Sequence, residues 1–162
     1  MSVRGALRSR MNRNCGNYSG PWFCCTLYMP SGAPPLNAVE KMALVDHIES
    51  NSSSYHKARV HFYGFSFGPD TDDCLFVKGI FGCRNLVNLN LERCGLDVLH
   101  VGDICEAMRT NCGVTELRLE DNYLGEDGFL LLIAGLGQNR TLSSLDLDRN
   151  EIYFDSKQAH DD

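Results

Sequence analysis

The chain has 162 residues, of which 43% are hydrophobic and 22% charged, with a formal net charge of −6; this is ordinary for one globular domain with a tail. Residues 1–60 carry seven Lys/Arg and three acids, whereas residues 61–162 carry eight Lys/Arg and eighteen acids. The acidic second part should repel nucleic acid, and no apolar run approaches the ~20 residues of a membrane helix, so we expect neither a nucleic-acid partner nor a membrane span.

The first segment, residues 1–35, is basic and then apolar. Residues 1–20 contain four Arg and no acid, which is typical of a disordered basic tail or of a transit peptide. The apolar run WFCCTLYM at 22–29 imitates a short secretory signal or, alternatively, forms a short strand or plug that covers the next unit. We favour a disordered or partly capping segment in a cytoplasmic protein, with organelle targeting or secretion as the alternative.

Residues 36–59 are predicted to form an N-terminal capping helix and a loop. Asn37 and Glu40 have the spacing of a capping box, in which each side chain accepts a hydrogen bond from the other residue's backbone. Apolar residues then recur every three to four positions, which predicts a helix over 38–49 with one apolar face. The run SNSSS is expected to end this helix.

Residues 60–152 are organised by one pattern that occurs three times. The strings LVNLNLERCGL, VTELRLEDNYL and LSSLDLDRNEI begin at Leu86, Val114 and Leu142, which are 28 residues apart. Each follows L-x-x-L-x-L-x-x-N/C-x-L, the signature of a leucine-rich repeat. The second and third apolar positions are two residues apart, so both point from a short strand into the core. The second half of each unit has the apolar spacing of a helix.

The Asn/Cys position of the pattern is predicted to be structural. Asn122 and Asn150 should hydrogen-bond backbone groups where the chain leaves the strand, and Cys94 is a small buried substitute. The cysteines at 83, 94, 105 and 112 match no zinc-binding spacing. With no phosphate-binding glycine loop and no catalytic motif either, we expect no metal, no cofactor and no enzymatic activity.

Residues 60–85 are predicted to form a fourth, degenerate repeat. With an offset of 26 residues, Val60, Tyr63 and Phe65 fall on the inward strand positions. Divergence is expected in an end repeat because one of its sides faces water. The predicted fold is therefore an α/β solenoid of three clear 28-residue repeats and one degenerate N-terminal repeat. Its parallel strands would line the concave face and its helices the convex face.

Two longer strings carry a resemblance to a known family. NCGVTELRLEDNYLGEDGF and GLGQNRTLSSLDLDRNEI resemble the ribonuclease-inhibitor-type leucine-rich repeats, and the likeness covers about residues 60–152. The resemblance implies an α/β solenoid that binds another protein. It also leaves open an enzyme regulator of this class, either a GTPase activator or a nuclease inhibitor.

The outward strand residues are the predicted partner-binding face: Asn88, Asn90, Glu92, Glu116, Arg118, Glu120, Ser144, Asp146 and Asp148. Neighbouring parallel strands lie about 4.8 Å apart, so Glu92, Glu120 and Asp148 should form a stripe of stacked carboxylates. This stripe is either a binding site for a basic segment of a protein partner or a solvated sheet face. We interpret the chain as a non-catalytic protein–protein interaction module.

The C-terminal end of the pattern is incomplete. After Ile152 only a polar tail, residues 153–162, remains, whereas the matching helix of the earlier copies is longer. The apolar side of the third repeat is therefore expected to be partly open. It could be covered by a partner or by the N-terminal segment, or the chain could be a truncated fragment of a longer array.

Overall fold

The computed structural model describes residues 22–29, 34–52, 57–67, 71–83, 85–110 and 113–154. The basic N-terminal tail and most of the polar C-terminal tail predicted above lie outside these residues. Strands and helices alternate along the chain: β1 (Trp22–Tyr28), α1 (Ala38–Ser52), β2 (Lys57–Tyr63), α2 (Thr71–Gly82), β3 (Leu86–Asn90), α3 (Val98–Thr110), β4 (Glu116–Arg118), α4 (Gly125–Leu136) and β5 (Ser144–Asp146).

The described strands form one parallel sheet in the order of the chain, β1-β2-β3-β4-β5. Crossovers between parallel strands share one hand, so the helices lie together on one face of the sheet, where each packs against the next. This α/β architecture is compatible with a leucine-rich-repeat arc. None of the helices in the described ranges is long and apolar enough to cross a membrane.

The core lies between the sheet and the helices, and its register follows the sequence pattern. Leu89, Leu117 and Leu145 are partners across β3, β4 and β5. Leu89 and Leu117 are fully buried, whereas Leu145 is half-buried. The strands predicted from the three copies of the pattern are thus confirmed, and they place equivalent residues side by side.

Helix α1 begins with the predicted capping box. Asn37 Oδ1 accepts a hydrogen bond from the Glu40 backbone N–H at 3.0 Å, and Glu40 Oε2 accepts one from the Asn37 N–H at 3.1 Å. The helix runs to Ser52, beyond the predicted end at residue 49. The Asn51 amide donates to the His47 carbonyl at 2.6 Å, which helps to satisfy the last turn and explains why polar residues continue this helix.

The predicted register of the degenerate repeat is wrong. Val60, not Tyr63, is the partner of Leu89, which is an offset of 29 positions, and the register shifts between Ala58 and Arg59. Residues 58, 60 and 62 therefore point into the core, while Tyr63 is half-buried on the other face. Phe65 is buried after the strand has ended, with its ring edge-on to Phe62 at 5.0 Å. The predicted inward positions 63 and 65 are out of phase with the observed alternation, in which residues 58, 60 and 62 are buried.

The apolar run at 22–29 forms β1, which extends the sheet beyond the repeat pattern. It pairs with β2 along its whole length, from Trp22 beside Lys57 to Tyr28 beside Tyr63. The chain leaves β2 at Gly64, where φ is +70° and a Cβ would lie 2.8 Å from the Met29 carbonyl oxygen. Only glycine fits this close approach of the two strand ends.

Candidate functional site

The sheet face opposite the helices, here called the outer face, is built from rows of residues that run across the strands. Strand pairing places one row side by side: Cys24, Arg59, Asn88, Glu116 and Ser144. It places a second row two residues further along: Thr26, His61, Asn90, Arg118 and Asp146. Each predicted partner-binding residue of strands β3 to β5 belongs to one of these rows.

A third row, of the carboxylates Glu92, Glu120 and Asp148 and here called the acidic row, follows where the strands end. The Arg93 N–H donates to the Glu120 carbonyl at 3.1 Å, and the Asp121 N–H donates to the Asp148 carbonyl at 2.9 Å. These bonds keep the successive turns in register and bring Glu92, Glu120 and Asp148 together. Asp148 is exposed, and the two glutamates are half-buried.

The residue after each of these carboxylates turns the chain off its strand. Arg93, Asp121 and Arg149 have φ values of 55°, 57° and 56°, in the left-handed region that non-glycine residues seldom adopt. Arg93 Nε lies 2.6 Å from Asp121 Oδ2, while Arg149 Nη1 lies 3.3 Å from Glu120 Oε1. Arg149 therefore neutralises one carboxylate of the acidic row.

Two of the predicted partner-binding residues, both asparagines of β3, are buried rather than exposed. Asn88 and Asn90 are 8% and 1% exposed. They lie on the central strand, where longer side chains of the neighbouring strands flank their short amides. Asn88 Nδ2 donates to Glu116 Oε2, and Asn90 Oδ1 accepts the Glu92 N–H at 2.8 Å, which closes the turn.

The remaining predicted residues lie towards the C-terminal side of the outer face. Arg118 and Ser144 are exposed, and Asp146 is half-buried. Asp146 Oδ1 accepts the Asp148 N–H at 3.2 Å, the same turn contact that Asn90 makes on its own strand. Asn90 and Asp146 therefore shape the turns, in addition to any contact with a partner.

Sequence reasoning missed the N-terminal half of the outer face, which β1 and β2 supply. Lys57 and Arg59 are exposed, and His61 and Tyr63 are half-buried beside them. The signal was present as strict alternation with the buried residues 58, 60 and 62. We call Lys57, Arg59 and His61 the basic half. The acidic half is the following set: Glu92, Glu116, Glu120, Asp146 and Asp148.

His61 lies near the middle of the outer face. Burial is the main cause that lowers its pKa from the ordinary 6.5, and the positive charges of Arg118 and Arg59 lower it further. Its ring centroid lies 6.3 Å from that of Tyr63. At neutral pH the imidazole is therefore uncharged, and Lys57 and Arg59 supply the charge of the basic half.

The Asn/Cys position has the structural role that the sequence predicts. The Asn122 side chain bonds backbone groups of its own turn and of the preceding turn, and Asn150 Nδ2 donates to the Leu119 carbonyl at 2.8 Å. Cys94 is fully buried, and its N–H donates to Asn122 Oδ1 at 3.0 Å. These contacts position the turns that present the acidic row.

Four of the described free cysteines have little nucleophilic character: Cys74, Cys83, Cys94 and Cys105. Burial raises the pKa of Cys94 and Cys105, and raises that of Cys83 to about 12. A hydrogen bond with Asp103 raises the pKa of Cys74 to about 11. Such thiols stay protonated at neutral pH. In the part of the chain that the structure describes, no cluster of three or more His, Cys, Asp or Glu could hold a metal ion.

The C-terminal side of the array, here called the open edge, is apolar and incompletely covered: Phe129, Ile133, Leu136, Leu145 and Leu147. Their equivalents 28 positions earlier are buried. Ile133 is 48% exposed, whereas its counterpart Cys105 is 9% exposed. Phe154 packs edge-on against Phe129 at 5.3 Å, which covers a part of this side.

Comparison with known proteins supports a leucine-rich-repeat relationship. No protein-family model matches the chain. An alignment over 74 residues, which covers 42% of the chain, is 38% identical to protein NLRC5 of Mus musculus, a leucine-rich-repeat-containing protein. The chain spans 4% of the length of that protein. Together with the parallel α/β architecture, this similarity points at the family level to a module that binds protein.

Proposed function

We propose that the chain is a non-catalytic interaction module, with repeats of the ribonuclease-inhibitor type, which binds a polypeptide through the outer face. The observation that carries this proposal is the adjacency of Glu92, Glu120 and Asp148 on a face that the helices leave open. Stacked like charges repel one another in the free protein, so a cationic partner would relieve that repulsion. A basic segment is therefore the expected ligand of the acidic half.

Not every carboxylate of the acidic half is equally available. Arg149 lies 3.3 Å from Glu120 and Arg93 lies 3.9 Å from Glu92, and these cations offset part of the negative charge. Glu116 accepts a hydrogen bond from the neutral Asn88 amide, which leaves its charge in place. The exposed Asp148 and the half-buried Glu116 and Asp146 are therefore better placed to receive a lysine or arginine. Contacts of this kind are screened by salt, so binding should weaken as ionic strength rises.

The test is a charge reversal on the outer face. In the full chain, the triple variant Glu92→Lys/Glu120→Lys/Asp148→Lys should lose binding to a lysine-rich synthetic peptide, measured by isothermal titration calorimetry at low salt. A matched triple variant reverses exposed acids elsewhere: Glu126→Lys, Asp127→Lys and Glu151→Lys. It has the same net charge and should retain most of the affinity. Equal affinity of both triple variants would overturn the proposal.

A second interaction is favoured by the open edge. Ile133 is 48% exposed, and Leu145 and Leu147 are half-buried where their equivalents are buried. We propose that another polypeptide packs on this edge. Ile133→Glu should then reduce any concentration-dependent association of the full chain, measured by size-exclusion chromatography with light scattering. If this variant associates as strongly as the unsubstituted chain, the open edge does not cause the association.

We also propose a reducing, cytoplasmic location. Support comes from the six described free cysteines, of which Cys25, Cys83, Cys94 and Cys105 are buried. Disulfides are rare in that compartment. Fractionation of cells that express the tagged full chain tests this proposal, and recovery in the secreted or organelle fraction would contradict it.

A further inference from the structure

The sign of the charges changes across the outer face. Strand β2 carries Arg59, and two strands further on Glu116 occupies the same row. In the next row, the exposed Arg118 of β4 lies between Asn90 and the half-buried Asp146 of β5. A uniformly basic ligand would therefore approach the like charges of Arg59 and Arg118 as well as the opposite charges of Glu116 and Asp146. Juxtaposed like charges weaken binding and select against such a ligand.

We propose that the outer face takes an extended polypeptide segment that crosses the strands, with an acidic residue over β2 and a basic residue over β4 and β5. The inference rests on the proposed function and deepens it, because it states which charges the partner carries and where. Arg59 would receive the acidic residue. Glu116 and Asp146 would receive the basic residue.

Asn88 supplies an independent observation at the centre of this path. It lies between Arg59 and Glu116 in the row and is only 8% exposed. Its Nδ2 donates to Glu116, but its buried Oδ1 has no hydrogen-bond partner among the described residues. A buried acceptor without a donor is costly. A backbone N–H of the crossing segment would satisfy it.

Strand spacing sets the separation of the two charges in the partner. Arg59 and Glu116 are two strands apart, which is about 10 Å at a spacing of about 4.8 Å. An extended chain rises about 3.4 Å per residue, so the acidic and basic residues should be about three positions apart. A partner with this spacing would have one of its backbone groups near Asn88.

The experiment uses synthetic peptides and the full chain. The block peptide has a pair of glutamates and a pair of lysines separated by about two neutral residues. A second peptide of the same composition alternates Glu and Lys, and a third replaces the glutamates by lysines. The block peptide should bind about tenfold more tightly than either of the others. A spin label at its acidic end should broaden amide signals of β2, and a label at its basic end should broaden those of β5.

Two variants test whether Arg59 contributes to binding of the block peptide. Arg59→Glu should weaken binding of the block peptide about tenfold and strengthen binding of the all-lysine peptide. The matched control is Arg109→Glu, an exposed change at the end of α3 on the helical side, which should leave both affinities unchanged. The spin-label result does not depend on a substitution and keeps the inference testable if Arg59→Glu fails to fold.

The outcomes separate this inference from the proposed function. Suppose that the all-lysine peptide binds at least as tightly as the block peptide, and that both label positions broaden the same amide signals. The proposal of a ligand with one acidic and one basic part is then overturned, while the proposal of a basic ligand stands. If no peptide binds, both proposals are overturned. If binding of the lysine-rich peptide is insensitive to reversal of Glu92, Glu120 and Asp148, the proposed function alone is overturned.

Discussion

Asn122 Nδ2 lies 2.9 Å from the carbonyl oxygen of Leu91, which precedes it by 31 positions in the chain. The same nitrogen donates to the Leu119 carbonyl at 2.8 Å, and Oδ1 accepts the N–H groups of Cys94 and Leu96, each at 3.0 Å. One buried amide therefore ties the turn after β3 to the turn after β4.

Replacing this amide should be strongly destabilising. Asn122→Ala leaves several buried backbone groups unpaired, and we expect the free energy of unfolding to fall by about 3 kcal/mol. Urea denaturation followed by circular dichroism measures the loss. Asn150→Ala is the matched control, because Asn150 Oδ1 accepts no hydrogen bond among the described residues. Its loss should be smaller, and equal losses in the two variants would contradict this account.

Gly135 permits the close approach of α3 and α4. A Cβ at this position would lie 2.3 Å from Cys105 Sγ, so the helices would have to separate. Gly135→Ala should destabilise the fold by about 1–3 kcal/mol. Gly102→Ala in α3 is the control, because no atom lies within 4 Å of its added Cβ. That change should raise stability by up to about 1 kcal/mol, and thermal melts that move both variants in one direction would refute the prediction.

A buried ion pair joins α1 to α2. Lys41 Nζ lies 2.5 Å from Asp73 Oδ1, and the two side chains are 9% and 4% exposed. Lys41→Met alone should cost about 3–5 kcal/mol, because it strands a buried charge, whereas Lys41→Met/Asp73→Leu should be close to neutral. Chemical denaturation of the single and double variants measures their free energies of unfolding and tests this prediction. A double variant that is less stable than the single one would show that the pair itself is stabilising.

For comparison, Lys78 forms two ion pairs, and its own side chain is 40% exposed. Its Nζ lies 3.0 Å from Asp103 and 2.8 Å from Glu106. Water and salt screen such pairs, so Lys78→Met should change stability little. A loss as large as that of Lys41→Met would mean that burial does not set the energetic difference between the two sites.

The lowered pKa of His61 predicts a specific pH dependence of stability. Its pKa in the folded protein lies below the ordinary 6.5, so the unfolded chain binds more protons in the window between the two values. Stability should therefore be complete above pH 6.5 and should decline as the pH falls through this window. His61→Gln should remove that part of the slope. Unfolding free energies measured across the window provide the test, and identical slopes for both proteins would count against it.

The sequence could predict those parts of the fold in which equivalent residues of successive repeats have the same structural role. Leu89, Leu117 and Leu145 share a spacing of 28 residues because each fills the same place between sheet and helix. Asn37 and Glu40 were predictable because a capping box depends on local spacing alone. The acidic row followed from the same register, since it comes directly after the repeated strand positions.

The N-terminal half of the sheet was less predictable because it departs from that spacing. The offset between Val60 and Leu89 is 29 positions, and a register shift precedes it. A short apolar run such as β1 does not reveal by itself which neighbour it will pair with. Burial of Asn88 could not be predicted either, because it depends on long side chains that adjacent strands bring beside it.

The strand order has a thermodynamic consequence for the two proposed surfaces. In the sheet as described, β5 pairs with β4 alone, yet it carries Asp146 and leads to Asp148 of the acidic half. A polypeptide that packs on the open edge would reduce the fluctuations of β5 without touching the outer face. A ligand of the outer face would then meet a strand that is already ordered, and it would bind more tightly. By linkage, the outer-face ligand must strengthen binding at the edge by the same factor.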